Sequence, residues 1–398
     1  MSPGRALLQV PGPTNVPERV LQALARPIID HRSPAFAEVA LQVLGGLKDV
    51  FRTSSAVALY SGSGTGAWEA ALTNALSPGD TVLLCESGQF AVLWGELAER
   101  LGLRVQRLSG DWRLPPDPDA AAGALEADVA HAIAAVLVVH NETSTGLTAD
   151  IPAFRDALER ARHPALLLVD AVSSLGSMEY RHDEWGVDVT ISASQKGLML
   201  PPGLALNAVS ERARTAGGKS RFPRGFWAWD PNIAANRTGY FPTTPATGLL
   251  FGLREALALM REEGATAVFE RHRRHGAATR QAVEAWGLEV YCRDPAAASP
   301  VVTAAMVPAG ADVDALRAAA VERFDLSLGA GLGPIAERVF RIGHLGDFND
   351  LMLCATLCGV ELALEAAGIP YERGGVASAL DLLGRPSTER KMPGAAGM

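Results

Sequence analysis

Leu166-Leu167-Leu168-Val169-Asp170 and Val189-Thr190-Ile191-Ser192, the second running on into Ala193-Ser194-Gln195-Lys196-Gly197, are the stretches that decide the fold. Each is a short apolar or β-branched run that ends in polar residues, the pattern of a strand buried on both faces of a parallel sheet. Asp170 closes the first run and Lys196 follows the second, 196 − 170 = 26 residues later. That length accommodates one crossover to a further strand.

Further strands are read at residues 56–60, 81–84 and Ile133–Val139, with the two decisive ones at 165–169 and 189–192. Helix-period segments at 36–51, 67–75, 93–101 and Ile151–Arg160 alternate with them, which specifies an α/β sheet covered on both faces. One continuous helical pattern over 247–282 leads out of this region. Strand runs at 288–290 and 301–306 and a helix over Val313–Phe324 follow, as a smaller α/β unit. A chain of 398 residues also exceeds the roughly 250 to 300 at which one core stops growing. The reading divides it into an N-terminal extended segment (1–18), a large domain (19–262) and a small C-terminal domain (263–398), with a frayed tail after Pro386.

Composition excludes several classes. The net charge of −8 arises from 36 basic and 44 acidic residues spread along the chain, and the one dense basic cluster, Arg271 to Arg274, lies in a helical run. It reads as a solvated helix face, so no nucleic acid is expected. Cys85, Cys292, Cys354 and Cys358 are too few for a disulfide framework and are expected to be reduced core thiols without metal. The N-terminal stretch carries Pro11, Pro13 and Pro17 instead of an apolar leader, and the apolar run from Leu351 to Leu364 is too short to cross a bilayer. That run is expected to be a buried helix, and the protein to be cytoplasmic.

Lys196 sits where an ammonium is costly to bury, so desolvation lowers its pKa and favours a Schiff-base nucleophile. Taken alone, a lysine after a strand is more often a snorkelling surface residue. Asp170 suits a protonated ring nitrogen such as a pyridinium, turning the ring into an electron sink; alone, it reads equally as a helix N-cap. Between a strand and a helix, Ser61-Gly62-Ser63-Gly64-Thr65-Gly66 leaves backbone amides free for a phosphate at a helix N-terminus. It lacks the spacing of a dinucleotide fingerprint and the Walker lysine.

Together these pieces resemble the fold-type I pyridoxal-phosphate (PLP) enzymes, and within them the class V aminotransferases that include the alanine–glyoxylate and serine–glyoxylate enzymes. The resemblance runs from Pro11-Gly12-Pro13-Thr14-Asn15 to about Gly368. Beyond the Asp170 and Lys196 segments it includes Asp30-His31-Arg32-Ser33, His140-Asn141-Glu142-Thr143-Ser144-Thr145-Gly146, Gly239-Tyr240-Phe241-Pro242-Thr243-Thr244-Pro245-Ala246-Thr247 and Phe340-Arg341-Ile342-Gly343-His344-Leu345-Gly346. It implies a large domain with a mostly parallel seven-stranded sheet, a smaller C-terminal α/β domain, and pyridoxal 5'-phosphate bound covalently to Lys196.

By position it further implies that Asp170 pairs with the ring nitrogen, and that Ser63, Gly64 and Thr65, with Gln195 beside them, hold the phosphate. Phe90 takes the place of the stacking aromatic, often Trp in relatives, while Thr143 and Val172 contact the ring's edge and other face. Tyr240 and Thr243 would reach the phosphate of a neighbouring subunit, making a homodimer part of the site. Arg341 would clamp the substrate carboxylate; without the resemblance it reads as a salt-bridge residue, and His31 and His344 read as structural. The implied reaction moves an amino group from an amino acid, L-serine first, to the 2-oxo acid glyoxylate, giving hydroxypyruvate and glycine. Alanine or aspartate are alternative donors. A PLP lyase or desulfurase is disfavoured because residues 327–338 hold no cysteine, and a non-catalytic binding protein by the joint presence of Lys196, Asp170 and Arg341.

Overall fold

The computed structural model describes residues 5–385, so the tail after Pro386 lies outside the described residues. Its central sheet has seven strands in the order Ala56–Gly62, Gly203–Val209, Val189–Ala193, Leu166–Asp170, Ile133–Val139, Thr81–Cys85 and Arg104–Leu108. Only Gly203–Val209 runs antiparallel to its neighbours. Leu167, Leu168, Val169, Ile191 and Leu206 are fully buried, because helices cover both faces. One face packs against the helices Pro34–Phe51, Ile151–Arg160 and Thr247–Glu263, the other against Gly64–Ala75, Gln89–Arg100 and Trp229–Asn236. This is the expected fold-type I architecture.

Two strands of this sheet were not legible. Gly203–Val209 follows two prolines and carries Asn207 at its centre, a polar break in the apolar pattern. Tertiary partners satisfy that side chain: Asn207 Nδ2 donates to the Ala67 carbonyl (3.1 Å) and Oδ1 accepts from Trp229 Nε1 (3.1 Å). Arg104–Leu108 is an edge strand with two arginines, so it lacks an apolar run. Two helices also start earlier than read. Gly64–Ala75 begins at Gly64 instead of 67, and Gln89–Arg100 at Gln89 instead of 93. Gly64, Thr65 and Phe90 therefore sit in first helical turns, where backbone N–H groups have no intrahelical partner.

The single helix read over 247–282 is two helices, Thr247–Glu263 and Ala265–Ala285. Gly264 separates them at φ 86° and ψ 136°, a conformation that glycine adopts at little cost. A second sheet has the order Leu7–Gln9, Leu326–Ala330, Val339–Gly343, Val302–Met306 and Glu289–Val290. The N-terminal segment is thus more than an extended lead: Leu7 to Gln9 pair in parallel with Leu326 to Leu328.

Two burial expectations are corrected. In the helix Asp350–Ala366, Leu353, Leu357, Val360 and Leu364 face the core, while Leu351 is 79 % and Leu362 52 % exposed. The apolar run hides a helix with one wet face. Of the cysteines, Cys85 and Cys292 are buried, but Cys354 is half-buried and Cys358 exposed, since both lie toward the outer side of that same helix. No helix among the described residues is long and apolar enough to cross a membrane.

Candidate active site

The carboxyl ends of the strands Leu166–Asp170 and Val189–Ala193 and the N-terminus of the helix Gly64–Ala75 converge on a cavity of about 260 Å³. Ser63, Gly64, Thr65, Phe90, Thr143, Asp170, Val172, Gln195 and Lys196 all line it, and this is where open α/β sheets bind ligands.

Lys196 occupies a turn after its strand and is 8 % exposed. Its Nζ donates to the Pro11 carbonyl. The neighbouring Gly12 has φ +102°, and a Cβ there would lie 2.5 Å from Lys196 Cδ and Cε, so a side chain at position 12 would collide with the lysine. Thr14 Oγ1 donates to the Lys196 carbonyl (3.1 Å). Burial, reinforced by the nearby Arg341 charge, lowers the lysine pKa to about 8, while Asp170 and Glu142 pull the other way.

Asp170 is 4 % exposed and both its oxygens are engaged. Oδ1 accepts from the Val172 N–H (2.7 Å) and Oδ2 from Trp68 Nε1 (2.8 Å). The N-cap reading and the ring-partner reading are compatible, because one oxygen caps the local turn while the carboxylate still borders the cavity. Burial pushes the Asp170 pKa up to about 6 against the pull of these two donors; Glu142 adds to the rise and Lys196 opposes it.

Ser63 is the N-cap of Gly64–Ala75 but makes no capping side-chain hydrogen bond, leaving its hydroxyl and the first-turn amides for an anion. Beside them Gln195 has a buried Oε1 with no hydrogen-bond partner among the described residues. An anion-binding pole, a buried carboxylate and a lysine of lowered pKa in one cavity, with Phe90 and Val172 also on its walls, fit pyridoxal phosphate. Lys196 Nζ lies 5.9 Å from the Phe90 ring centroid.

Arg341 does not line the cavity but stands behind it. Its side chain is buried; Nη1 donates to the Thr143 carbonyl (2.9 Å) and Nε to the Ala330 carbonyl (2.6 Å). Burial lowers its pKa to about 10, so it stays cationic at neutral pH. Tyr240 is half-buried and Thr243 exposed, and both lie outside this chain's own cavity. His344 is buried on Thr303 Oγ1 (3.0 Å), and His31 sits near Asp30 at 4.0 Å.

Several neighbours escaped the sequence reading. Trp68 lies one turn beyond Gly64 on the same helix, a spacing that signals a shared face. Pro11 and Gly12 gave no hint of touching Lys196 across 185 residues. Glu142, completely buried, accepts from the backbone N–H groups of Phe90 (3.4 Å), Ala91 (3.2 Å) and Ser144 (2.9 Å) and from Ser144 Oγ (2.6 Å). It thereby anchors the helix that carries Phe90. A larger open groove, about 790 Å³ near Glu263 and Asn349, has its arginines committed to Glu263 (2.6 Å) and Asp350 (3.0 Å). Its described lining holds no lysine, and its carboxylates Glu263, Glu270 and Asp350 are each paired with an arginine.

The family described as Aminotransferase class-V matches residues 7 to 320. The chain is a class V aminotransferase. Enzymes of this class depend on pyridoxal phosphate, the group that the cavity fits. The class V chain is 47 % identical over 388 residues to a serine–glyoxylate aminotransferase of Methylorubrum extorquens, covering 96 % of each protein. It is 44 % identical to an L-aspartate–glyoxylate aminotransferase of Paracoccus denitrificans, covering 93 % of this chain and 94 % of the relative. Among solved structures, the pyridoxamine–pyruvate aminotransferase of Mesorhizobium loti superposes with a TM-score of 0.88 at 31 % identity, covering 95 % of this aminotransferase and 97 % of that chain.

Proposed function

We propose that this aminotransferase takes L-serine as amino donor and glyoxylate as acceptor, giving hydroxypyruvate and glycine. The observation that carries the reading is the convergence of the Lys196 amine and the Asp170 carboxylate on one cavity that also holds an anion-binding helix start. Bound pyridoxal phosphate supplies an electron sink for the bond broken at the substrate Cα.

The chain's own residues do the rest. Lys196 would hold the cofactor covalently, and its free Nζ would take the substrate Cα proton and later return one, a task suited to a pKa lowered to about 8. Asp170 holds the positive charge of the ring nitrogen. Ser63, Gly64, Thr65 and Gln195 hold the phosphate, while Phe90, Val172 and Thr143 confine the ring. Arg341 binds the substrate carboxylate with its guanidinium fork, fixing which Cα bond is broken. Tyr240 and Thr243, which do not line this chain's own cavity, complete the site of a second subunit in a homodimer. We place the enzyme in the cytoplasm, a reading that its free cysteines favour. We place the boundary between the two domains at residue 262, a reading that the helix break at Gly264 supports.

Aspartate is the second reading, favoured by the Paracoccus denitrificans relative. Against it, Lys196 in the lining and Arg341 behind it already have their tasks, and the described lining offers a second carboxylate no further cation. Absorbance of the holoenzyme, recorded on adding L-serine and then glyoxylate, tests the proposal. Bleaching of the cofactor band by serine and its recovery with glyoxylate are expected. Bleaching by aspartate or alanine but not by serine would move the assignment to that donor, and a spectrum that no amino acid changes would overturn transamination.

A further inference from the structure

Trp68 borders the same cavity, and its Nε1 donates to Asp170 Oδ2 at 2.8 Å. Both residues are nearly buried, 5 % and 4 % exposed. The indole is held in place from behind, stacked on the fully buried Trp94 with ring centroids 5.9 Å apart and planes inclined by 13°. Trp68 also belongs to the helix Gly64–Ala75, whose N-terminus faces the cavity. One rigid element therefore carries both the anion-binding amides and a donor to the carboxylate.

We propose that Trp68 is a positioning residue, which holds the Asp170 carboxylate in orientation and keeps it ionised through its indole N–H. The proposal rests on the reading of Asp170 as the partner of the ring nitrogen. An indole N–H donates and cannot accept, so it stabilises the carboxylate more than the protonated carboxyl, whose oxygens are weaker acceptors. With Oδ1 on the Val172 N–H and Oδ2 on Trp68, the carboxylate plane is pinned at both oxygens, and each oxygen keeps a further lone pair for the ring. The titratable and charged groups facing Asp170 are Lys196, which favours the anion, Glu142, which opposes it, and Tyr180. Burial outweighs them, and without the indole donor the carboxyl would hold its proton to a higher pH.

Equilibrium dialysis of apo-protein against pyridoxal phosphate tests this at pH 6.5 and 8.5, comparing wild type, Trp68→Phe and Asp170→Asn. Phenylalanine keeps an aromatic ring against Trp94 but removes the donor and part of the indole's bulk, and a loss from packing alone would be the same at both pH values. Loss of one hydrogen bond to a charged group predicts affinity about tenfold weaker in W68F at pH 6.5 and within about threefold of wild type at pH 8.5, where Asp170 ionises unaided. D170N is expected to bind weakly at both values. A W68F affinity equal to wild type at pH 6.5, or an equal loss at both pH values, would overturn the role of Trp68. Wild-type affinity in D170N would instead overturn the reading of Asp170 itself.

Discussion

Lys196 and Asp170 are each displaced from their ordinary charge balance by burial, in opposite directions. For the lysine, burial disfavours the ammonium, so the reactive amine fraction grows as pH rises through about 8 instead of through 10.5. Cofactor attached to apo-protein and trapped by borohydride is therefore expected to increase between pH 7 and 9, with none trapped in Lys196→Ala; a midpoint above pH 10 would contradict the burial argument. Arg341 supports a second prediction at this scale. Replacing its planar fork by the single ammonium of Arg341→Lys is expected to raise KM for the donor by roughly tenfold or more, with a smaller change in affinity for pyridoxal phosphate. Lys196 and Asp170 were legible because each is an ionisable group at the edge of an apolar run, where a charge is out of place; Arg341, in the middle of the strand Val339–Gly343, was singled out by the resemblance alone. Glu142 and Trp68 were not, because a buried glutamate capping a distant helix and a tryptophan donating across 102 residues leave no local signature.

At the level of elements, continuous apolar strands were readable where helices shield both faces, and Gly203–Val209 and Arg104–Leu108 were not, since one contains a polar residue satisfied only by the fold and the other lies at an edge. Helix starts were misplaced for a related reason. Gln89–Arg100 has no side-chain N-cap of its own; its first-turn amides are met by Glu142 and Ser144 from another segment. Glu142→Ala would leave several buried donors unpaired and is expected to cost on the order of 3 kcal/mol, read as a lower urea midpoint. Glu142→Gln, which keeps an acceptor, is expected to fall between the variant and wild type. An unchanged midpoint in Glu142→Ala would show that water replaces the carboxylate without penalty.

On the scale of the whole molecule, the N-terminal segment joins the two sheets. Leu7 to Gln9 add a strand beside Leu326–Ala330, Pro11 accepts from Lys196, and Thr14 holds the lysine's carbonyl. The homodimer proposal has its own test here: mixing Lys196→Ala subunits with subunits carrying Tyr240→Phe and Thr243→Ala should restore about a quarter of wild-type activity, because half of random dimers carry one intact shared site. Recovery of none would place Tyr240 and Thr243 outside the partner's site. What the amino-acid order alone determined was the alternation of strand and helix and the strand-end lysine and aspartate, because these depend on periodicity and on the cost of charge in apolar surroundings. Which groups touch them was decided only in three dimensions. The Pro11 carbonyl, the Trp68 indole and the Thr143 carbonyl reach Lys196, Asp170 and Arg341 across 185, 102 and 198 residues, and contacts so remote in sequence exist only once the chain has packed.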